Sequence, residues 1–395
     1  MLDKLPHVFY FHASADLYGS DYVLLELIRE ASKKYQVVVF LPRTGPLVDE
    51  LLKYNVKVYV TKLAVLRREY FSAIGFMEFL VNLIGSAYFV YLMQKRINVV
   101  AFHTNTSAMW SGFFSAWILR KKHYWQVMEI IEKPKFVSWV MSRVVGSFSD
   151  KIFCISDAVR LHFLKSNKGK DDKFLTIYHG VDRSVYDIDS IDKSKVRTAL
   201  NLDADTTIVG FAGRFNAWKG QEIFALAANS ILSNLNPAIK VHFLFMGSVY
   251  ANQHKYLTEL RALLDSSDQL KSNSTLVGFQ NDFQDWLAAM DILVLPSKLP
   301  EPNATVTIAA MSLGIPVVGT NIGGTVESVL DGHTGFLVPP NDVNSLAEKI
   351  SLLIHSPSTR SEFSKKSLVR ANSMFSIDNY TDRVLREYEA ESHMS

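Results

Sequence analysis

The sequence predicts an α/β protein with two domains, each built on a parallel sheet, and three observations carry that reading. The chain has 395 residues, and one domain takes roughly 100–200. Short apolar runs alternate with longer amphipathic stretches, which is the pattern of βαβ units. The alternation stops at a polar stretch, DRSVYDIDSIDKSK at 182–195, and then restarts. The expected division is a first domain over 1–185, a second over 186–375 and a closing polar helix over 376–395, whose pattern leaves it free to pack anywhere, the first domain included. Apolar residues make up 48% and charged residues 21%, close to a globular average, which excludes a disordered or fibrous chain. A single cysteine, Cys154, excludes a disulfide framework and a cysteine-based zinc site and fits a reducing compartment.

The elements follow in order. Strand-like runs fall at 7–12, 37–41, 56–60, 99–103, 124–128, 151–155 and 175–178, with helical stretches at 20–33, 72–94 and 137–145 among them. After the polar stretch, strand-like runs fall at 208–212, 241–246, 275–277, 292–295, 317–319 and 335–338. Helices are expected at 220–233, 255–264 and 345–354, and a polar one at 377–391. The opening MLDKLPHVFYFHASAD shows no basic-then-apolar leader pattern. The longest apolar stretch, 79–93, is shorter than the ~20 residues a bilayer span needs and is interrupted by Asn82. No spanning helix is expected. A buried core helix is the ordinary reading of such a stretch, and a helix lying on a membrane surface is the other.

Charge is uneven. Residues 1–180 hold 24 Lys and Arg against 15 Asp and Glu, and the rest hold 18 against 24, within a net charge of +3. A basic first half points to an anionic partner such as a membrane surface. The pairs Arg67-Arg68, Lys95-Arg96, Arg120-Lys121-Lys122 and Lys133 with Lys135 flank aromatic-rich helices.

Ligands of open parallel sheets bind at the carboxyl ends of strands, so chemistry should sit just after strands. GFAGRFNAWKG at 210–220 ends a strand at Ala212, turns at Gly213, and places Arg214 and Lys219 five residues apart before a helix. A guanidinium fork and a mobile ammonium suit a diphosphate; taken alone they also fit a solvated surface pair. The stretch is not a P-loop, because GxxxxGK[ST] is absent. LPEPNATVTIAAMSLGIPVVGTNIGG at 299–324 follows another strand. Glu301 lies in its loop, and a helix begins near Ala304 or Thr305, whose free N–H groups favour phosphate. Glu301 there reads either as an acceptor for sugar hydroxyls or as a helix-dipole residue.

These stretches resemble the retaining glycosyltransferases of the GT-B fold, family 4. The matching segments are GRFNAWKG, FLFMGS, LVGFQNDFQDWLAAMDILVLPS, EPNATVTIAAMSLGIPVVGTNIGG and DGHTGFLVPPND, in family order over about 205–355. Looser matches in the first half are YGSDYVLLELI, FHTNTSAMWSG, FCISDAVR and IYHGVDRSVYD. The resemblance implies two Rossmann-like domains facing across a cleft, the first for the acceptor and the second for a nucleotide diphosphate sugar. It implies that Arg214 and Lys219 grip the donor diphosphate. It places Glu301 by the donor sugar, as the first acid of an E-x7-E motif. Asn303, Ala304 and Thr305 match positions whose amides face the sugar and its phosphate. Gly19 matches the glycine of the loop that approaches the diphosphate. Gly213 and Gly247 fall in the donor-binding segments, and Phe279 in the loop beside the base. His103 matches a histidine beside the sugar and the acceptor.

One position departs. The second acid of the motif would stand at 309, which is Ala309. Either the lineage lacks that acid or a Glu→Ala replacement weakens the site, and the second alternative leaves a catalytically impaired sugar-nucleotide-binding protein. The resemblance further implies retention of anomeric configuration. A double displacement needs a carboxylate nucleophile with a second acid/base group, and the motif offers only Glu301, so front-face attack is expected. His103 then positions the acceptor or handles its proton. The cations neutralise the leaving phosphate, so no metal or other cofactor is expected. The expected acceptor is a glycan or a polyprenyl-diphosphate-linked lipid in bacterial O-antigen, capsule or lipopolysaccharide assembly, and not nucleic acid. The expected location is the cytoplasm, peripheral on the inner face of the membrane.

Overall fold

The computed structural model describes residues 5–95, 97–249 and 253–392. Of the basic groups named above, Arg96 and the side chain of Arg68 lie outside the described residues. The chain divides into a unit formed by Met1–His179 with Ile377–Ser395 and a unit formed by Gly180–Ser376.

The first unit runs β1 (His7–Phe11), α1 (Gly19–Ala31), β2 (Gln36–Leu41), α2 (Pro46–Leu52), β3 (Lys57–Val60), α3 (Ala73–Gln94), β4 (Val99–Asn105), α4 (Ser111–Ile118), β5 (His123–Val127), α5 (Lys135–Phe148), β6 (Lys151–Cys154), α6 (Asp157–Leu164) and β7 (Phe174–Thr176). Its seven-stranded sheet has the order β3-β2-β1-β4-β5-β6-β7, and all its pairings are parallel. The second unit runs α7 (Lys193–Ala199), β8 (Thr207–Ala212), α8 (Gln221–Asn234), β9 (Val241–Met246), α9 (His254–Leu264), α10 (Asp268–Ser272), β10 (Ser274–Val277), α11 (Phe283–Ala288), β11 (Ile292–Leu295), α12 (Thr305–Ser312), β12 (Val317–Thr320), α13 (Thr325–Ser328), β13 (Gly335–Val338), α14 (Val343–His355) and α15 (Pro357–Met374). Its six-stranded parallel sheet is ordered β10-β9-β8-β11-β12-β13. The closing helix α16 (Ile377–Ser392) returns to the first unit.

Strand order reverses between β1 and β4 in one sheet and between β8 and β11 in the other. Each reversal opens a crevice at the carboxyl edge, where the connecting helices diverge to opposite sides. Both sheets are covered on both faces, so their strands read as continuous apolar runs rather than alternating ones. In the first unit Phe11 stacks on Phe40 at 4.6 Å on the α3 side, while Tyr10 and Tyr124 join Tyr380, Val384, Leu385 and Tyr388 of α16. In the second, Phe211, Phe224, Phe243 and Phe245 form the core with Ile350 and Leu353 of α14.

Two elements bear on the expectations. α3 coincides with the helix expected over 72–94, and Ser72 caps it by accepting the Gly75 N–H at 3.1 Å. By length and composition it suffices to cross a membrane. The helix α15 carries a polar sequence without a continuous apolar face and was invisible to periodicity; it is held by its cap at Ser356 and by Phe363, Ser367 and Ala371 buried.

Tyr388 fixes α16 to the sheet. Its hydroxyl lies 2.6 Å from His103 Nδ1 and donates to Tyr10 Oη at 3.3 Å, all three groups being buried. Tyr388→Phe should lower the unfolding free energy by about 1–3 kcal/mol, the cost of leaving buried polar groups unpaired. Urea denaturation checks this, and an unchanged midpoint contradicts it.

Candidate functional site

In the second unit, four strand ends converge at the β8/β11 reversal. β8 delivers Gly213 and Arg214, β9 delivers Gly247, β11 leads into the loop with Glu301, and β12 leads to Gly323-Gly324. A side chain at Gly247 would put Cβ at 1.8 Å from the Gly213 carbonyl oxygen, so the β8 and β9 ends approach only because glycine is there. After Arg214, Asn216 folds the chain back: its Oδ1 accepts the N–H groups of Trp218 and Lys219, each at 3.1 Å. Gly220 then adopts φ +70°, and a Cβ there would meet the Pro296 carbonyl at 1.9 Å. The Lys298 N–H donates to Trp218 O at 2.6 Å. The Lys219 loop is thereby stitched to the loop that follows β11.

The stitching brings Lys219 Nζ to 2.8 Å from Glu301 Oε1. The Ser297 hydroxyl donates to the same oxygen at 2.7 Å, and Ser297 is itself placed by Thr320, whose hydroxyl donates to the Ser297 carbonyl at 2.9 Å. Glu301 is only 6% exposed. Beside it, α12 starts at Thr305 with Ala304 as its N-cap and no side-chain cap hydrogen bond, and the start of a helix favours an anion. Asn303 is buried, and its Oδ1 accepts from Ser328 Oγ at 2.8 Å. Ala309, one turn into α12, is 1% exposed. Phe279, after β10, is 60% exposed, an aromatic face open to stacking. Arg214 stands at the end of β8, half-buried. The sequence offered Arg214 and Lys219 as a pair; the contact the structure makes is between Lys219 and Glu301.

In the first unit, Gly19 opens α1. The residues that hold it were missed from sequence. His12, just after β1, sits with Nε2 2.6 Å from Asp21 Oδ1, and Asn105 at the end of β4 donates from Nδ2 to His12 Nδ1 at 3.0 Å. Asp21 Oδ2 accepts the Tyr18 N–H at 2.9 Å. This chain of bonds ties both sides of the β1/β4 reversal to the first turn of α1. The available signal was a histidine closing one strand and an acid at the third position of the next helix. Glu129, after β5, is another acid at this edge. Its Oε2 accepts the N–H groups of Ser107 and Met128, both at 3.2 Å, while burial raises its pKa.

The expected place of His103 is corrected. It lies within β4, fully buried, against Tyr10, Phe153 and Tyr388 rather than at the sheet edge. Burial, then the neighbouring His123 and His12, pushes its pKa down to about 3. An imidazole so enclosed stays neutral and reaches no solvent-borne hydroxyl.

Residues 206–356 match the family described as glycosyl transferases group 1. The chain is 26% identical over 247 residues to the capsular polysaccharide biosynthesis glycosyltransferase CapM of Staphylococcus aureus, covering 61% of this chain and 62% of that one. It is 24% identical over 216 residues to the lipopolysaccharide core biosynthesis mannosyltransferase LpsB of Rhizobium meliloti, covering 54% and 60%. The matched segments therefore span about three-fifths of these relatives. The crystal structure of Anabaena HepE in complex with UDP superposes with a TM-score of 0.80 at 22% identity, over 97% of this chain and 100% of that one. The fold is GT-B, with two Rossmann-like α/β units, and the residues that match the glycosyl transferases group 1 family lie in the second unit.

The buried histidines set a pH dependence. Desolvation holds His123 at about 3 and His179 at about 4, like His103. Their folded pKa values lie below the unfolded value near 6.5. Between these limits the unfolded chain binds more protons, so stability falls as pH drops below about 6.5, by about 1.4 kcal/mol per group per pH unit. Urea unfolding at pH 7.5 and pH 5 reads this, and a lower midpoint at pH 5 is expected.

Proposed function

We propose that the chain is a retaining glycosyltransferase that moves a hexose-type sugar from a UDP- or GDP-sugar to a glycan or polyprenyl-diphosphate-linked acceptor in bacterial surface polysaccharide synthesis. One arrangement carries the reading: Lys219 and Glu301 are in contact at the β8/β11 reversal, where Arg214 follows β8 and α12 starts just after Glu301. The named roles of CapM and LpsB support the class of product. HepE was crystallised with UDP, which favours a UDP-sugar among the donors.

Breaking the bond between sugar and diphosphate places negative charge on the departing phosphate. Arg214, Lys219 and the first amides of α12 stabilise it as fixed donors, commonly the largest catalytic contribution. Glu301 accepts from sugar hydroxyls and holds Lys219 extended. With one motif carboxylate and His103 enclosed, the departing phosphate oxygen takes the acceptor proton in a front-face transfer. These cations supply the charge that a metal would otherwise supply, so the reaction proceeds without one.

Arg214→Ala and Lys219→Ala should each lower kcat by about 100-fold or more, the scale for deleting a preorganised donor to a developing anion. Radiolabelled transfer to a lipid-linked acceptor mixture measures it, and wild-type turnover by either variant defeats the assignment.

A second reading, a sugar-nucleotide-binding protein of impaired activity, rests on Ala309. Restoring a carboxylate by Ala309→Glu should raise kcat/KM about tenfold or more if a ribose hydroxyl bonds it. Nucleotide-sugar binding by calorimetry with no transfer or hydrolysis by either form favours the second reading.

A further inference from the structure

The helix α3 is inside-out. Its positions 74, 77, 81, 84, 88 and 92 recur at three- and four-residue spacing and face away from the protein. They are Ile, Met, Val, Ile, Tyr and Leu, all exposed. Val81 is 65% and Ile84 62% exposed. From 79 to 94 the sequence has no charged residue. Glu78, near the start of the helix, is exposed, but two polar side chains of the later turns point inward. Asn82 and Ser86 are buried, and Ser86 Oγ lies 2.9 Å from Ser111 Oγ of α4, which accepts the Ala64 N–H at 2.8 Å. A helix in water sorts its residues the other way. An apolar stripe about 20 Å long over 79–92, from about 1.5 Å of rise per residue, exceeds the scattered apolar residues normal on a surface.

The inner face of α3 is committed to protein. Phe79 packs on Trp110 at 5.5 Å and Phe89 on Tyr59 at 5.9 Å. The helix therefore cannot be surrounded by lipid as a span would be, although its length permits one. Its ends carry the second observation. α3 and the adjacent α4 both run from the carboxyl edge of the sheet to the amino edge, so Lys95 and Arg120-Lys121 close the same edge. Lys95 Nζ sits over the Tyr91 ring at 4.6 Å. Exposed Trp117 and Ile118 end α4 beside them. Aromatic rings and cations at the rim of an apolar stripe suit the headgroup level of a bilayer.

We propose that α3 is an interfacial anchor whose outer face lies in the plane of an anionic bilayer, with Val81, Ile84 and Tyr88 below the headgroups and Lys95, Arg120 and Lys121 on lipid phosphates. This deepens the lipid-linked acceptor reading by naming the surface that meets the membrane, but it is carried by α3 alone.

The test uses the full chain and vesicles of phosphatidylcholine, with and without equal parts of phosphatidylglycerol, in the absence of donor and acceptor. Its failure is thus separate from failure of the transferase reading. The wild type should float with anionic vesicles at low salt and be partly released at high salt. Val81→Glu/Ile84→Glu should weaken the partitioning about tenfold or more with an unchanged Tm, since both sites are exposed. Lys95→Glu/Lys121→Glu should remove the preference for anionic lipid. Because Cys154 is buried, an environment-sensitive dye on Ile84→Cys reports position 84, and its emission should shift blue on vesicles. Absence of wild-type binding, equal binding by Val81→Glu/Ile84→Glu, or an unshifted dye overturns the proposal. So does a wild-type dimer that Val81→Glu/Ile84→Glu turns into monomer without vesicles, which would assign the stripe to a second copy.

Discussion

A carboxylate that is nearly sealed from water must find a counter-charge, and the second unit is organised around that requirement. Glu301 has it in Lys219 at 2.8 Å, with a hydroxyl from Ser297 on the same oxygen. Removing one partner of such a buried pair costs about 3–5 kcal/mol, so the loops that carry the two groups are not free to drift. The glycine at 220 and the side-chain turn at Asn216 serve this pair, since they hold the Lys219 loop against the loop after β11. On the proposed reading, Glu301 keeps Lys219 extended while the ammonium also meets the donor diphosphate, so the electrostatics rest on a contact that already exists.

The strand-order reversals explain why legibility differed from place to place. Strands covered on both faces read as apolar runs whatever their neighbours, so runs such as 241–246 and 292–295 coincide with β9 and β11. Glycine-punctuated loops were legible because glycine there answers a backbone constraint. The partnership of Lys219 with Glu301, 82 residues apart in sequence, depends on how two loops cross, and no local pattern encodes that. The His12–Asp21–Asn105 bonds are of the same kind. His103 was misplaced for a related reason: its motif fixes its strand, while the enclosing Tyr388 arrives from a helix 285 residues later.

α3 shows the opposite failure. Its sequence reads as a core helix because composition cannot say which face is covered. What separates a core helix from an interfacial one is the direction of its few polar residues, and Asn82 and Ser86 point inward. Polar atoms are costly to bury without partners, so their orientation is the more reliable sign of where water is not needed. Here Ser86 bonds Ser111 of α4, and the outer face from 79 to 92 carries no charged residue.

The return of α16 gives the first unit a property its sequence position hides. Tyr380, Val384, Leu385 and Tyr388 belong to the core of a sheet whose last strand ends at Thr176. Tyr380 donates to Gln126 Oε1 at 2.7 Å, and Tyr124 donates to the Glu387 carbonyl at 3.0 Å. Until the final helix is made, Tyr10, His103 and Gln126 line a core face with unpaired polar groups and uncovered rings. Burial of such groups without partners costs about 1–3 kcal/mol each, so the first unit reaches its full stability only when the last segment docks. The neutral state of His103 depends on the same event, because the low pKa is a consequence of enclosure. The acid sensitivity of this unit and the integrity of its C-terminal helix are therefore one property: whatever loosens α16 readmits water to His103, and a charged His103 in turn opposes the docking of α16.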